Sequence, residues 1–259
     1  MKPYFLKMVA PVPKIESFHC ALFVGPHPDD IEVGAGATVS RLVSLGIKVF
    51  FVIVTDGGAG SFNGQCNIDD LIKTRRQEAL NSASHLGVDD TIFLNFPDGA
   101  KYDVWDVSVK LAEVMIKIKP DIVFCPDPDL PSEVHPDHIK TGQAVKYAML
   151  ISSSPLVLRR NLIHVETDSL VNFNKTLAFF YTHRPNKYLP LTNEDVIKAN
   201  QSILLHKSQF QEHDLSWKML NKYLSYRRKR FGNLLHPKCD GFFVLGPIHQ
   251  HSFPEINHY

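Results

Sequence analysis

Two short strings of histidine and aspartate are the part of this chain best suited to chemistry. Their histidines and aspartates are His27, Asp29, Asp30, His135, Asp137 and His138. Each string follows a short apolar run that is typical of a buried strand. Imidazole nitrogens and carboxylate oxygens bind divalent metals, and the side chains left over can act as a base and an acid. The residue types therefore indicate a metal site with chemistry beside it.

We interpret His27, Asp30 and His138 as the metal ligands. His27 and Asp30 are three residues apart in a loop, and a turn at Pro28 would direct both side chains to one point. Two histidines and one carboxylate leave coordination positions open, as in catalytic zinc sites, although the same set suits ferrous iron. A His-Pro-Asp string can also simply begin a helix, because proline is favoured at the first helical position. Two such strings at two strand ends favour the metal site.

The other three side chains are candidates for catalysis. Asp29 lies next to a ligand but would point away from the metal, which is the expected position of a general base. The alternative for Asp29 is a helix cap or a hydrogen-bond partner of His27. His135 could stabilise an oxyanion and protonate a leaving group, and Asp137 could orient His135 and keep it charged. The alternative for that pair is a capping turn at the surface.

Strand and helix patterns alternate four times in the first part of the chain. The strand-like segments are 20–24, 48–54, 91–94 and 121–125, and the helical segments are 36–45, 70–86, 104–118 and about 136–150. This alternation predicts an α/β fold with a Rossmann-like, mostly parallel sheet and helices on both faces. Ligands bind beyond the carboxyl ends of the strands in such sheets, and both strings fall there.

The pattern changes after about residue 151. A strand is predicted at 176–181, helices from Thr192 to about 206 and over 214–230, and a last strand at 241–245. No long linker separates this part from the rest. We therefore expect a single domain over 1–259, with a Rossmann-like core at 1–150 and C-terminal α/β additions at 151–259.

Composition excludes several classes of protein. The chain has 259 residues and a net charge of +1, so nothing in it attracts nucleic acid or anionic lipid strongly. No apolar run approaches the roughly 18 residues of a membrane span, and the N-terminus lacks a signal-peptide core. Four scattered cysteines indicate a reducing compartment, and we expect a cytoplasmic protein. The loop 55–60 lacks the glycine pattern and the lysine of nucleotide-binding loops.

The motifs resemble those of the PIG-L/LmbE family of zinc-dependent N-acetylglucosamine deacetylases. The segments that carry this resemblance are His27-Pro28-Asp29-Asp30, Gly34-Ala35-Gly36 and His135-Pro136-Asp137-His138. Three further segments, 126–142, 181–186 and 206–210, are similar to the archaeal diacetylchitobiose deacetylase branch. The similarity extends from about residue 18 to the C-terminus. The chain departs from the family pattern at one position. Most of the family has Glu directly after the Asp pair, whereas this chain has Ile31. The diacetylchitobiose deacetylase branch also tolerates a residue other than Glu there, so the departure favours that branch.

The resemblance implies one zinc ion per subunit, held by His27, Asp30 and His138, with Asp29 as the general base and His135 as the electrophilic acid. It also implies a small amino-sugar substrate and a homo-oligomer, a trimer or a hexamer. Three substrate-binding residues follow from it as well. They are Arg75, which matches an arginine facing the sugar, Asp98, a candidate for binding a hydroxyl group, and His251, a tail residue that could close a neighbouring subunit's site.

The expected function is the removal of the N-acetyl group from N-acetylglucosamine units of a small chitin-derived sugar, diacetylchitobiose. The first alternative is a deacetylase of another N-acetylglucosamine conjugate, such as a thiol-precursor glycoside. The second alternative is a Rossmann-like protein that binds a sugar or nucleotide without catalysis. If the protein is a deacetylase, loss of the Asp29 carboxylate should abolish turnover. If it only binds a ligand, this loss should leave its function intact.

Overall fold

The computed structural model describes residues 3–164 and 175–258. Seven strands form its sheet: β1 (Cys20–Gly25), β2 (Lys48–Thr55), β3 (Asp90–Phe96), β4 (Ile122–Pro126), β5 (Thr176–Phe180), β6 (Lys187–Pro190) and β7 (Cys239–Leu245). Their order is β3-β2-β1-β4-β5-β7-β6. Strands β1 to β5 pair in parallel, and β7 runs antiparallel to both β5 and β6. The predicted mostly parallel α/β sheet is confirmed.

Eight α-helices accompany the sheet among the described residues. They are α1 (Pro3–Val9), α2 (Asp30–Ser44), α3 (Ile68–Leu86), α4 (Val104–Ile118), α5 (Pro136–Ile151), α6 (Pro155–Arg160), α7 (Asn193–Ile203) and α8 (Leu215–Phe231). Helix α2 packs against α3 and α7, and α4 packs against α5. In the part of the chain that is described, none of the helices combines the length and apolarity needed to cross a bilayer.

The central strands are apolar along their whole length because helices cover both faces of the sheet. Residues 21–25 of β1 and all five residues of β4 are buried, as is usual for parallel strands in such a layer. Phe23 of β1 stacks on Phe124 of β4 with 4.3 Å between the ring centroids. This rigid centre fixes the positions at which the loops after β1 and β4 begin.

Helix α2 begins at Asp30, six residues before the predicted start at 36. The small residues at its beginning are there for close packing: a Cβ atom on Gly34 would lie 2.5 Å from Cδ2 of Phe180, and one on Gly36 would lie 3.4 Å from Cβ of Ala199. The earlier start matters for function because it makes Asp29 the N-cap and places Asp30 in the first turn. Helix N-termini favour carboxylates there.

The loops that follow β1 and β4 leave the sheet toward opposite faces. Strand β1 pairs with β2 on one side and with β4 on the other, so the strand order reverses between β1 and β4. A crevice opens at such a reversal, beyond the carboxyl ends of the strands. The two histidine and aspartate strings lie on the two sides of this crevice.

Candidate active site

The two strings meet at the carboxyl edge of the sheet, as predicted. The ring centroid of His27 lies 4.7 Å from that of His135 and 5.4 Å from that of His138, and the last two are 5.0 Å apart. His27 precedes α2, and His135 is the N-cap of α5. The parallel pairing of β1 with β4 therefore brings together two strings that are far apart in the sequence.

Three side chains fit a divalent cation. His27, Asp30 and His138 each offer a nitrogen or oxygen atom, and these atoms all lie within 4.8 Å of one another. Oδ2 of Asp30 is 2.9 Å from Nδ1 of His27, and Oδ1 of Asp30 is 3.4 Å from Nε2 of His138. Between 9% and 16% of each side chain is exposed, so the group is shielded but reachable.

The electrostatics of this group also fit a cation. Burial alone would lower the pKa of His27, but the carboxylates of Asp137, Asp30 and Asp98 raise it to about 12. Burial opposes ionisation of Asp30, yet hydrogen bonds from His138 and His27 hold the pKa of that carboxyl well below its usual range. Several carboxylates thus converge on one ring, and the cluster favours positive charge at its centre.

The outer nitrogen of each candidate ligand histidine faces a carboxylate. Nε2 of His27 is 3.1 Å from Oδ1 of Asp98, and Nδ1 of His138 is 2.8 Å from Oε2 of Glu133. Carboxylates in this position fix the ring orientation and tautomer of metal-binding histidines. The arrangement is the one expected when Nδ1 of His27 and Nε2 of His138 point to the metal.

A second group, His27 with Asp98, His135 and Asp137, also has atoms within 4.8 Å of one another. Its carboxylates already accept other hydrogen bonds. Asp98 accepts from the backbone N–H of Ala59 at 3.0 Å, and Asp137 accepts from the backbone N–H of Gly99 at 2.9 Å. Asp30 likewise accepts the backbone N–H of His27 at 3.1 Å, so both groups could hold a cation, and the group that contains Asp30 is the one predicted from the sequence.

Asp29 is held apart from Asp30 by an unusual backbone conformation. Its φ of 127° lies in the region that side chains other than glycine rarely adopt. Oδ2 of Asp29 accepts a hydrogen bond from Nη2 of Arg75 at 3.3 Å. Burial raises the pKa of Asp29 above its ordinary value, although the Arg75 guanidinium opposes the shift. The result is a carboxylate whose proton affinity is greater than that of an exposed aspartate.

Arg75 of α3 is 3% exposed and is bound on several sides. Nη1 donates to the carbonyl of Gly57 at 2.9 Å, and Nη2 donates to the carbonyl of Pro28 at 3.0 Å. A Cβ atom on Gly60 would lie only 2.0 Å from Nη1. The glycines of the loop after β2 therefore make room for a guanidinium.

His135 and Asp137 are paired differently from the expectation. Nδ1 of His135 accepts the backbone N–H of Asp137 at 3.3 Å, whereas the carboxylate of Asp137 accepts from Tyr102 Oη at 2.8 Å and lies 3.5 Å from Nε2 of His27. Burial lowers the pKa of His135, and His27 and His138 lower it further. The Asp137 carboxylate is therefore not hydrogen-bonded to His135, although its charge opposes the lowering of the His135 pKa, and Nδ1 of His135 acts as a hydrogen-bond acceptor.

The remaining predicted residue, His251, lies away from this cluster in the single chain. It lines a separate cleft with Leu177 and Leu245, which pair at the amino end of β5. Two side chains near the cluster were not singled out from the sequence, namely Glu133 and Tyr181, which donates from Oη to the carbonyl of Asp30 at 3.2 Å. Both lie in segments that carried the resemblance, which was the available signal.

Comparisons with known proteins identify the family of the chain. Residues 22–149 match the PIG-L family model, described as GlcNAc-PI de-N-acetylase. The chain is 32% identical to the diacetylchitobiose deacetylase of Thermococcus kodakarensis, over 90% of this chain and 85% of that protein.

Solved structures extend the likeness to the fold. The N,N'-diacetylchitobiose deacetylase of Pyrococcus horikoshii, in complex with its inhibitor MPG, aligns with a TM-score of 0.82 at 30% identity, covering 92% of this chain and 88% of that one. GalB, the 4-carboxy-2-hydroxymuconate hydratase of Pseudomonas putida, aligns with a TM-score of 0.71 at 18% identity, covering 86% and 94%, and shares the fold alone. The similarity to the Thermococcus kodakarensis protein, the match to the family model and the group of histidines and aspartates together show that the chain belongs to the PIG-L family.

Proposed function

We propose that the protein is a metal-dependent hydrolase that removes the N-acetyl group from N-acetylglucosamine units of diacetylchitobiose. One observation carries this proposal: a two-histidine, one-carboxylate group lies beside a separate, partly buried aspartate, Asp29, held by Arg75. The similarity to a diacetylchitobiose deacetylase over 90% of the chain supports the choice of sugar. GalB shares the fold but is named a hydratase, so the side chains of the site, and not the fold, support the proposed activity.

The metal would be held by His27, Asp30 and His138, and we propose one zinc ion per chain. A divalent metal in such an open site supplies Lewis acidity and makes water more acidic. Asp98 and Glu133 orient the two histidine rings through their outer nitrogens. The protein thereby fixes the ligand geometry before any substrate binds.

Asp29 is the proposed general base. Its carboxylate lies next to the ligand Asp30 in the chain, and Arg75 restrains it from the other side. It takes a proton from the attacking water. Because burial favours the protonated carboxyl, Asp29 can keep this proton and return it to the leaving nitrogen, releasing acetate and an amino sugar.

His135 is the proposed donor to the developing oxyanion. Its Nδ1 is occupied by the backbone N–H of Asp137, so the neutral imidazole presents an N–H at Nε2. A neutral donor stabilises negative charge without transferring a proton. The Asp137 carboxylate holds His27 and Tyr102 in place, and its charge opposes the lowering of the His135 pKa.

We also retain as proposals the single domain over 1–259, a cytoplasmic location and a homo-oligomer. The sheet that joins β4 to β5 and β7 supports the first, and four free cysteines among the described residues support the second. The position of His251 outside the cluster in one chain is compatible with a role in a neighbouring subunit's site.

Acetate release tests the proposal. Protein stripped with a chelator and protein reloaded with zinc are each incubated with diacetylchitobiose and with free N-acetylglucosamine. We expect acetate and a free amine in equal amounts from the zinc-loaded sample, and none from the stripped sample. Zinc-loaded protein that releases no acetate from the disaccharide contradicts the substrate assignment, and activity that survives stripping contradicts the metal dependence.

A further inference from the structure

A cleft of about 380 Å³ continues outward from the metal group along helix α8. His138 and Tyr181 line its inner end, so it opens directly from the candidate active site. Its volume falls within the roughly 300–1,000 Å³ that small-molecule pockets occupy. The N-acetyl group that reacts must lie near His138, and whatever the substrate carries beyond that group can extend into this cleft.

One face of α8 forms the outer wall of the cleft. Tyr223, Tyr226, Arg227 and Arg230 recur at the spacing of residues that share a helix face. The two tyrosines are 55% and 61% exposed, which is high for aromatic side chains in a cleft. Arg227 is anchored, because Nη2 donates to the carbonyl of Gly34 at 2.8 Å. The wall therefore combines an anchored guanidinium group with accessible aromatic faces.

The opposite wall is polar. Ser132 and Thr182 contribute hydroxyl groups, and Glu133 contributes the only carboxylate among the described lining residues. The tyrosine rings and guanidinium groups of α8, together with the hydroxyl and carboxylate groups of the remaining lining, suit a ring that has apolar C–H faces and a polar edge. A pyranose ring has that character, whereas a long acyl chain would offer no partner to the Arg230 guanidinium or the Ser132 hydroxyl group.

We propose that this cleft is a subsite for the second sugar ring, the one next to the N-acetylglucosamine that is deacetylated. Tyr223 and Tyr226 form the platform on which that ring packs, and Arg230 binds its hydroxyl groups at the outer end. The proposal rests on the proposed function and deepens it, because it makes α8 the element that selects a disaccharide over a monosaccharide.

Binding measured without turnover tests the subsite independently of catalysis. Zinc-loaded protein with Asp29→Asn is titrated calorimetrically with diacetylchitobiose and with N-acetylglucosamine, alone and combined with Tyr226→Ala or Arg230→Ala. Stacking on one tyrosine predicts a roughly threefold to tenfold loss of affinity for the disaccharide in Tyr226→Ala, with affinity for the monosaccharide unchanged. Tyr226→Phe should keep most of the disaccharide affinity.

Matched controls come from the same helix. Met219 is 60% exposed and lies outside the cleft lining, so Met219→Ala controls for loss of bulk, and Lys229→Ala controls for loss of charge. An equal loss for both sugars, or no loss for either, overturns the subsite, and the second result would leave this face of α8 to a protein partner. The two proposals can fail separately. If Tyr226→Ala loses affinity for the disaccharide alone but the protein with Asp29 intact releases no acetate, the proposed function is overturned and the subsite stands.

Discussion

Replacing Glu133 should weaken metal binding although Glu133 is not a candidate ligand. Its Oε2 atom is 2.8 Å from Nδ1 of His138, and its Oε1 atom accepts the backbone N–H of His135 at 2.8 Å. Glutamine has one acceptor oxygen in place of two, so Glu133→Gln must turn an amide N–H toward one of these donors. The ring of His138 then loses its negatively charged partner.

The magnitude follows from the behaviour of such outer partners. Loss of a carboxylate behind a ligand histidine typically costs about 10- to 100-fold in metal affinity, which corresponds to about 1.4–2.7 kcal/mol. Loss of the ligand itself in His138→Ala should be much more severe. Zinc affinity is measured by competition with a chromophoric chelator at fixed pH, and melting temperatures show whether each variant is folded.

Glu113→Gln is the matched control, since Glu113 is a half-exposed residue of α4 that pairs with Lys110 rather than with a histidine. Zinc affinity should be unchanged in this variant. A folded Glu133→Gln protein with the affinity of the unmodified protein would refute the orienting role of Glu133. An affinity loss as complete as that of His138→Ala would instead make Glu133 a ligand and refute the proposed set.

Three further perturbations test the surroundings of the cluster. Gly60→Ala places a methyl group 2.0 Å from Nη1 of Arg75. A shift of about 1 Å in a positioning group can cost roughly 100-fold, so kcat/KM should fall by up to that factor, whereas Gly64→Ala, with open space around its Cβ, should leave it unchanged. Burial raises the pKa of Asp29 above 3.8, and since the base is lost as pH falls, the acidic limb of kcat/KM should lie above that pH. In the metal-free protein, burial would lower the pKa of His27, but its carboxylate neighbours raise this pKa from 6.5 to about 12. The stability that protonated His27 contributes is therefore fully present below pH 6.5 and is lost as pH rises toward 12. The melting temperature should fall toward alkaline pH, and His27→Gln should flatten that dependence.

The sequence predicted the sheet and the meeting of the two strings because both depend on short-range patterns. Apolar runs predicted β1 and β4. Because ligands bind at the carboxyl edge of parallel strands, His27 and His138 were then expected to lie close together. Helices α4 and α5 were predicted almost to the residue, since a capping aspartate and a proline at the first helical position mark their starts.

What the sequence could not supply depends on packing between distant segments. The early start of α2 was missed because Gly34 and Gly36 are poor helix formers, and only the approach of Phe180 and Ala199 explains them. Strand β6 is four residues long and was not recognised. The contacts of the Asp137 carboxylate could not be predicted either, because Tyr102 and His27 reach it from distant segments.

The most direct test of the central claim measures zinc content and acetate release on the same samples of Asp29→Asn, His138→Ala and unmodified protein. A general base contributes about 100- to 10,000-fold, so Asp29→Asn should keep its full zinc content and lose turnover of diacetylchitobiose by that factor. His138→Ala should lose both the zinc and the turnover. An Asp29→Asn protein that still releases acetate at the unmodified rate, or that loses its zinc as His138→Ala does, would contradict the separate roles of Asp29 as base and His138 as metal ligand.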